Sequence, residues 1–283
     1  MFVAGDALLD VTKTKNLEEK SVGGGAVNTA RVLGNLEIPT WFIGCLSDDE
    51  NGKLIENSLK QSGVHLDYAH RSKLPTATAT LGIDKDGNAS YEFDFKAKAT
   101  FEFGDWLPEV KPKVLHVGSL SSVLEPGASA LFSWASTLKC EIIYDPNVRP
   151  MIFYEKEGYR KSFIKWSSIS KIVKLSEDDL KWLGFEVDSI LEFGAEFVVL
   201  TLGENGIRAY SRSFEVEVAA VPVDVVDTVG AGDTVGAVIA ETMYLGIPLS
   251  EENLKISLEK AAIAASITCG KMGAVPVTRN EIH

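Results

Sequence analysis

Two periods of hydrophobic spacing alternate along this chain. Short, nearly continuous apolar runs at 2–4, 41–44, 114–117, 141–144 and 197–200 read as strands buried on both faces. Between them, apolar residues three and four apart predict helices. One covers 26–36, with Val27, Ala30, Leu33 and Gly34 on a single face, and others cover about 50–61, 127–138, 230–245 and 251–268. A short stretch at 171–174 leads to Ser176, which reads as the N-cap of an acidic first turn and a helix over 178–183. Two more short strands are expected at 207–210 and 214–219. Repeated strand–helix units of this kind predict an α/β fold with a mostly parallel sheet covered on both faces. Ligands of such sheets bind at the carboxyl ends of the strands, where Gly5, Asp6 and Asp10 follow the first one.

The region 76–103 breaks the rhythm. Residues 77–83 and 89–95 are strand-like and are joined at 84–88 by Asp-Lys-Asp-Gly-Asn, which is hairpin-turn chemistry. Tyr91, Phe93 and Phe95 alternate with Glu92 and Asp94, so one face packs and the other meets water. This predicts a small β lid inserted at about 76–103 and completed by 11–20. Its aromatic face could cover a substrate, pack on a partner subunit or seal the core. With no internal repeat, low-complexity tract or linker, residues 1–283 read as one domain carrying a lid.

Composition narrows the partners. A net charge of −12 over 283 residues argues against nucleic acid or an anionic membrane as the main partner. It leaves a nucleotide open, because local backbone N–H groups and a cation can outweigh the global field. No apolar run approaches a membrane span, and residues 1–5 lack the basic and apolar regions of a signal peptide. Cys45, Cys140 and Cys269 are odd in number and far apart, as reduced thiols would be. A cytoplasmic location is expected. The four histidines are scattered too, so no zinc site is indicated.

The chemistry concentrates in Asp227-Thr-Val-Gly-Ala-Gly-Asp233. Gly230, Ala231 and Gly232 sit where a helix begins, leaving backbone N–H groups bare at the positive end of its dipole, which suits a phosphate. Asp233 falls in the first turn, placed to take a proton from an attacking hydroxyl rather than to bind the anion. Together these read as phosphoryl transfer to an alcohol. A Gly-x-Gly-Asp run also serves as a plain tight turn with a favourable first-turn charge, so the reading leans on the rest of the chain. The dinucleotide fingerprint is excluded because Gly236 comes one residue late, and no Gly-Lys-Ser/Thr is present for a Walker loop. Gly23, Gly24 and Gly25 precede the first helix, where the backbone can approach a ligand closely and Asn28 can hydrogen-bond to it.

Four separated motifs together resemble the ribokinase-like (PfkB-type) carbohydrate kinases. They are Gly24-Gly25 with Asn28, Asp145-Pro-Asn-Val-Arg149, Thr201-Leu-Gly-Glu-Asn-Gly206 and the Asp227–Asp233 stretch. The last is the most specific, and the resemblance runs from Gly5 to about Thr278. It implies a three-layer α/β/α sandwich with a β lid and transfer of the ATP γ-phosphate to a sugar hydroxyl. By resemblance, Asp233 is the catalytic base, with Gly230, Ala231 and Gly232 as the anion hole. Asp10, Gly24, Gly25 and Asn28 would contact sugar hydroxyls, and Asn147 and Arg149 would lie with the acceptor. Thr201, Gly203, Gly206 and Gly232 would serve the nucleotide. The family uses Mg²⁺ and often a monovalent cation such as K⁺, and Asp227 would lie at the cation-rich end of the phosphate site. Many of its members pair as homodimers through the lid.

Two departures stand out. The family's Asn-x-x-Glu motif aligns with Ser176 and Asp179, where Asp179 reaches less far toward a metal and Lys174 could supply charge to the phosphates instead. Val229 replaces a hydroxyl residue common there, although a backbone carbonyl could still serve a cation. Residues 145–149 and 273–279 look most like fructokinases and 2-keto-3-deoxygluconate kinases, with ribokinase a further alternative. Arg149 could face a sugar-acid carboxylate, neutralise the transferring phosphate or pair with an acid. No basic pair near the lid marks a sugar-acid site, which favours a neutral hexose such as fructose. A catalytically silent sugar- or nucleotide-binding protein is the rival of another class, and ATP turnover separates the two.

Overall fold

The computed structural model describes residues 1–13, 18–83, 89–96, 98–152 and 155–282. The chain opens with β1 (Phe2–Ala4), β2 (Leu8–Lys13), β3 (Glu18–Gly23) and α1 (Gly25–Asn35). There follow β4 (Trp41–Ile43), β5 (Cys45–Ser47), α2 (Glu50–Gln61), β6 (His70–Ser72), β7 (Ala77–Ile83) and β8 (Ala89–Asp94). Then come β9 (Val114–Gly118), α3 (Gly127–Thr137), β10 (Glu141–Asp145), α4 (Lys156–Ile169) and β11 (Ile172–Ser176). The chain continues through α5 (Glu177–Leu183), α6 (Val187–Phe193), β12 (Phe197–Thr201), β13 (Ile207–Tyr210) and β14 (Glu215–Val218). It closes with α7 (Ala231–Tyr244) and α8 (Glu251–Cys269).

The main sheet has the order β14-β13-β12-β11-β10-β9-β1-β4. It is parallel from β12 to β4, and β13 and β14 add antiparallel edges. Successive residues of each strand enter opposite cores, as a period of two requires. Val3, Ile143 and Val199 pack with Val27 and Leu33 of α1, Ile239 of α7 and Leu258 of α8. Phe2, Tyr144 and Leu200 pack on the other side with Leu131 of α3, Trp166 of α4 and Ile190 of α6. The continuous apolar runs are therefore strands covered on both faces, and the three-layer α/β/α sandwich expected above is the observed fold.

The order of strands reverses at β1, which lies between β4 and β9. Crevices at the carboxyl ends of strands beside such a reversal are where open α/β sheets bind ligands. Residues 5 and 6, 118 and 119, and 145 all emerge there.

The second sheet, in the order β3-β2-β7-β8, forms the lid. It takes in more chain than 11–20: β2 starts at Leu8, so Asp10 stands on a lid strand rather than in a loop after β1. In register, Asp10 lies opposite Ala79, and Ala79 opposite Phe93, so these three residues share one face of the lid. The expected turn at 84–88 and the side chain of Tyr91 lie outside the described residues, as does the lid segment 14–17.

Strands β5 and β6 and helices α4 and α6 are not marked by the hydrophobic pattern. Helix α4 buries Tyr159, Phe163 and Trp166 at a spacing of four and three, but its charged first turn masks that stripe. The predicted cap of α5 is present as a capping box between Ser176 and Asp179.

Candidate active site

The site begins at the N-terminus of α7. Its N-cap, Gly230, is left-handed at φ 83°, a conformation that side chains other than glycine seldom adopt. From there the helix rises at once: Thr234 N–H donates to Gly230 O at 2.9 Å, and Ala231 N–H to Thr228 O at 3.3 Å. That leaves the amides of Gly232 and Asp233 without helical partners, at the positive end of the helix.

Asp233 is buried in the first turn, and its Oδ2 accepts a 2.9 Å hydrogen bond from Asn28 Nδ2 of α1. The other oxygen looks toward the glycine loop before α1, for a Cβ built on Gly25 would stand 3.2 Å from Oδ1 and 2.9 Å from Asn147 Nδ2. Gly24, at φ 99°, would push a Cβ to 2.5 Å from Asp6 O. Only glycine fits there, and the close approach draws the loop against residue 6. Gly25, Ser119, Asp145, Asn147 and Asp233 border one small cavity together with His116. The structure thus brings Gly24, Gly25, Asn28, Asn147 and Asp233 together.

Asp10 reaches the same region from the lid, half-buried, with its Oδ2 where a Cβ on Gly23 would stand, at 2.2 Å. Burial lifts its pKa to about 6 against the pull of Arg149, with Asp233 and Asp227 adding to the lift. Arg149 is exposed, and its Nη1 donates to Val148 O at 3.0 Å. Asp233 is also raised, by burial first and by Asp145 second, while Lys174, Asn28 and Arg149 oppose the rise. Asp6, which pattern reading left as a loop residue, is buried and lifted to about 6 by desolvation. Its position just beyond a buried strand was the signal the sequence carried for it.

A second cavity, of about 740 Å³, opens at the α7 N-terminus. Its volume is in the range of drug-sized ligand sites. Thr201, Gly203, Gly206 and Gly232, which the sequence suggests for the nucleotide, line it together with Ala231 of the expected anion hole. Its remaining wall comes from Pro222, Val223 and Val225 and from Ala262, Ala265 and Cys269 of α8, none of which a motif marks. Gly232 lines this cavity, and the next residue, Asp233, lines the smaller one.

Three expected residues make hydrogen bonds to the protein itself. Lys174 is buried on β11, and its Nζ donates to Asp145 Oδ2 at 2.8 Å. Asp179 accepts from Val148 N–H and Ser176 N–H, both at 2.9 Å. Asp227 accepts from Val229 N–H at 3.0 Å and Gly273 N–H at 2.9 Å, tying the turn before α7 to the 273 loop. Among the described residues no group of three or more His, Cys, Asp or Glu is placed to hold a metal ion.

Residues 4–280 match the family model of the pfkB family carbohydrate kinases. The chain belongs to this family. Its enzymes are phosphotransferases with a sugar hydroxyl as acceptor. This kinase is 32% identical over 281 residues to a fructokinase of Rhizobium leguminosarum bv. trifolii, covering 93% of this chain and 85% of that one. Among solved structures it resembles fructokinase with bound ATP from Xylella fastidiosa, with a TM-score of 0.90 at 22% identity over 100% of this chain and 96% of that one. It also resembles fructokinase from Vibrio cholerae O395 in a fructose-, ADP- and calcium-bound form, with a TM-score of 0.85 at 22% identity over 96% and 93% of the two chains.

Proposed function

We propose that this kinase transfers the γ-phosphate of ATP to a hydroxyl of fructose, with Asp233 as general base. The observation that carries the reading is the position of Asp233. One of its oxygens is fixed by Asn28, the other looks toward the Gly24–Gly25 loop, and the residue before it, Gly232, lines the larger cavity. The identity to a fructokinase over most of both chains supports the choice of acceptor.

In this reading the sugar lies between the lid and the glycine loop. Its hydroxyls donate to Asp10 and pack against Gly24 and Gly25, with Asn28 and Asn147 beside it. The lid face that carries Asp10 also carries Phe93, which supports an aromatic cover over the acceptor rather than a face turned to water. ATP lies in the cavity lined by Thr201, Gly203 and Gly206, with its γ-phosphate at the amides of Gly232 and Asp233. As the acceptor oxygen attacks, charge spreads over the transferring oxygens, and those fixed amides oppose it without reorganising. Asp233 takes the hydroxyl proton on its free oxygen, and burial makes it a better base than an exposed aspartate.

Magnesium, when bound, would neutralise the phosphate oxygens. The donor set fits an ion held mainly by phosphates and water, since Asp179 and Asp227 give oxygens to backbone amides and form no closed cage. Asp227 and neighbouring carbonyls would face the cation side, where K⁺ is the monovalent candidate. Arg149, exposed and tied to its own loop, is read here as a phosphate or loop residue rather than a sugar-acid ligand. We further propose a reducing, cytoplasmic setting, which the three free cysteines support, and a homodimer paired through the lid, whose outer strands β3 and β8 lie at sheet edges.

The test is a coupled ADP-release assay with Mg²⁺–ATP and fructose, ribose, tagatose, 2-keto-3-deoxygluconate or a nucleoside. Turnover best with fructose is the expected result. Turnover with the sugar acid alone would move Arg149 into the acceptor site, and no turnover from folded protein would favour a silent binding protein. Sedimentation of the same sample checks the dimer.

A further inference from the structure

Lys174 and Asp145 form an ion pair with almost no exposure, 4% and 3%, inside the sheet below the α7 N-terminus. Burying two charges seldom adds stability over an apolar pair of the same volume, so the pair calls for another role. The contacts of each partner suggest one. A Cβ on Gly232 would stand 3.1 Å from Lys174 Nζ, which puts the ammonium directly behind the anion-hole loop. Asp145 borders the small cavity on which Asp233 also lies, and its Oδ1 has no hydrogen-bond partner. A buried cation thus backs the loop while a buried anion stands beside the base.

We propose that Lys174 and Asp145 are a positioning pair that sets the charge state and basicity of Asp233. The proposal rests on the reading of Asp233 as the base. Neither residue is required to touch sugar or nucleotide. Lys174 acts from behind Gly232 and does not line the nucleotide cavity. A buried carboxylate beside a second carboxylate tends to hold a proton and could then accept none from the sugar. Lys174 opposes this and keeps Asp233 ionised. Lys174 without Asp145 would overcorrect and leave a base too weak to assist the attack. The directions agree: Asp145 raises Asp233 and Lys174 lowers it.

Other charges face Asp233 from neighbouring elements and form a constant background in any comparison of Lys174 and Asp145 variants. Asp6 follows β1, Asp10 stands on the lid, and Arg149 follows β10; all three couple to Asp233. On β9, His116 Nε2 would be 3.1 Å from a Cβ on Gly236 of α7, and burial first and Lys174 second lower its pKa to about 3, so it is neutral throughout.

The experiment is the pH profile of kcat/KM for the sugar in Lys174→Gln, Asp145→Asn, the double variant and Lys174→Arg. The acid limb should move up by about 1 pH unit in Lys174→Gln and down by a similar amount in Asp145→Asn, the scale of a charge a few ångströms away. It should return near wild type in the double variant, and Lys174→Arg should keep the wild-type limb. A purely structural pair would lower the plateau or the melting temperature and leave the limb in place, and that result would overturn the proposal. Limbs moving in the same direction in both single variants would also overturn it. If Lys174→Gln does not fold, the downward shift in Asp145→Asn and its reversal in the double variant decide alone. Asp233→Asn, measured alongside, separates the two readings. Wild-type turnover there rejects Asp233 as the base, whereas an inactive Asp233→Asn with unmoved limbs rejects only the pair.

Discussion

Asn28 Nδ2 donates to Asp233 Oδ2 at 2.9 Å, joining two residues 205 positions apart in the chain. The bond spans two helices, α1 and α7, that both point their N-termini at the site, each preceded by a positive-φ glycine. It fixes one carboxylate oxygen and thereby orients the other toward Gly25, where the proposed function puts the acceptor hydroxyl.

Removing either end should therefore act on turnover more than on binding. Asp233→Asn is expected to lower kcat by ~10²-fold or more, the usual scale for a positioned base, with sugar KM little changed. Asn28→Ala keeps the base but frees its orientation, so its loss should be smaller and still in kcat. Steady-state kinetics on both variants check this. A near-normal kcat in Asp233→Asn would reject the assignment.

Asp6 and Asp10 make a prediction in pH with two opposite signs. Burial raises each to about 6, from the ordinary aspartate value of 3.8. A raised carboxyl contributes stability that is complete below the unfolded value and is lost as pH rises through about 6. Asp6→Asn removes this dependence for the fully buried residue, so the melting temperature should fall less between pH 5 and pH 8 than in wild type. Binding runs the other way, because a carboxylate accepts a sugar hydroxyl better than a carboxylic acid does. Sugar KM should rise as pH falls through 6, and Asp10→Ala should raise it at every pH while leaving ATP KM unchanged. A rise in ATP KM instead would place Asp10 on the wrong side of the site.

The larger cavity predicts tolerance in the phosphate donor. Pro222, Val223, Ala262 and Ala265 give it an apolar wall. Apolar walls discriminate between bases weakly, by roughly 10–200-fold, whereas a site built to hydrogen-bond a ligand rejects mismatches by ~10⁴. GTP and ITP should thus support turnover within about two orders of magnitude of ATP in kcat/KM. A preference beyond that would mean that the base is read by hydrogen bonds, from backbone amides or from Thr228 and Ser266.

The legible parts of this protein are those whose signal is local. Apolar runs such as 197–200 predicted buried strands because both faces are covered, and Ser176 announced its capping box three residues ahead of Asp179. Gly230 to Asp233 predicted an open helix start because small residues and a first-turn acid are adjacent in the chain. What stayed hidden depends on residues that only the sheet brings together. Lys174 read as a phosphate ligand, yet the parallel pairing of β10 and β11 sets it against Asp145. Asp10 read as a loop residue because β2 begins only four residues after β1 and its pairing partners, β3 and β7, lie further along the chain. The α8 wall of the larger cavity is built of Ala262, Ala265, Ser266 and Cys269, residues that carry no motif at all.

Glu241 supplies a prediction in stability alone. It lies on α7, 1% exposed, and accepts from Lys260 Nζ of α8 at 2.8 Å and from Arg279, which also donates to Leu36 O at the end of α1. One carboxylate thus joins α7, α8 and the C-terminal turn, and through Arg279 it reaches α1. Breaking a fully buried ion pair typically costs about 3–5 kcal/mol; Lys260 and Arg279 are each about a quarter exposed, so the lower end of that range applies here. Glu241→Ala should lose stability on that scale in denaturant titration, whereas converting Glu241 and Lys260 together to methionine should recover much of it. Glu241 lies about 12 Å along the helix from Asp233, at 1.5 Å per residue. Turnover per folded molecule should therefore be unchanged in both variants. A fall in kcat without a fall in stability would mean that the far end of α7 acts on the catalytic turn, and Glu241 would then belong to the machinery of phosphoryl transfer.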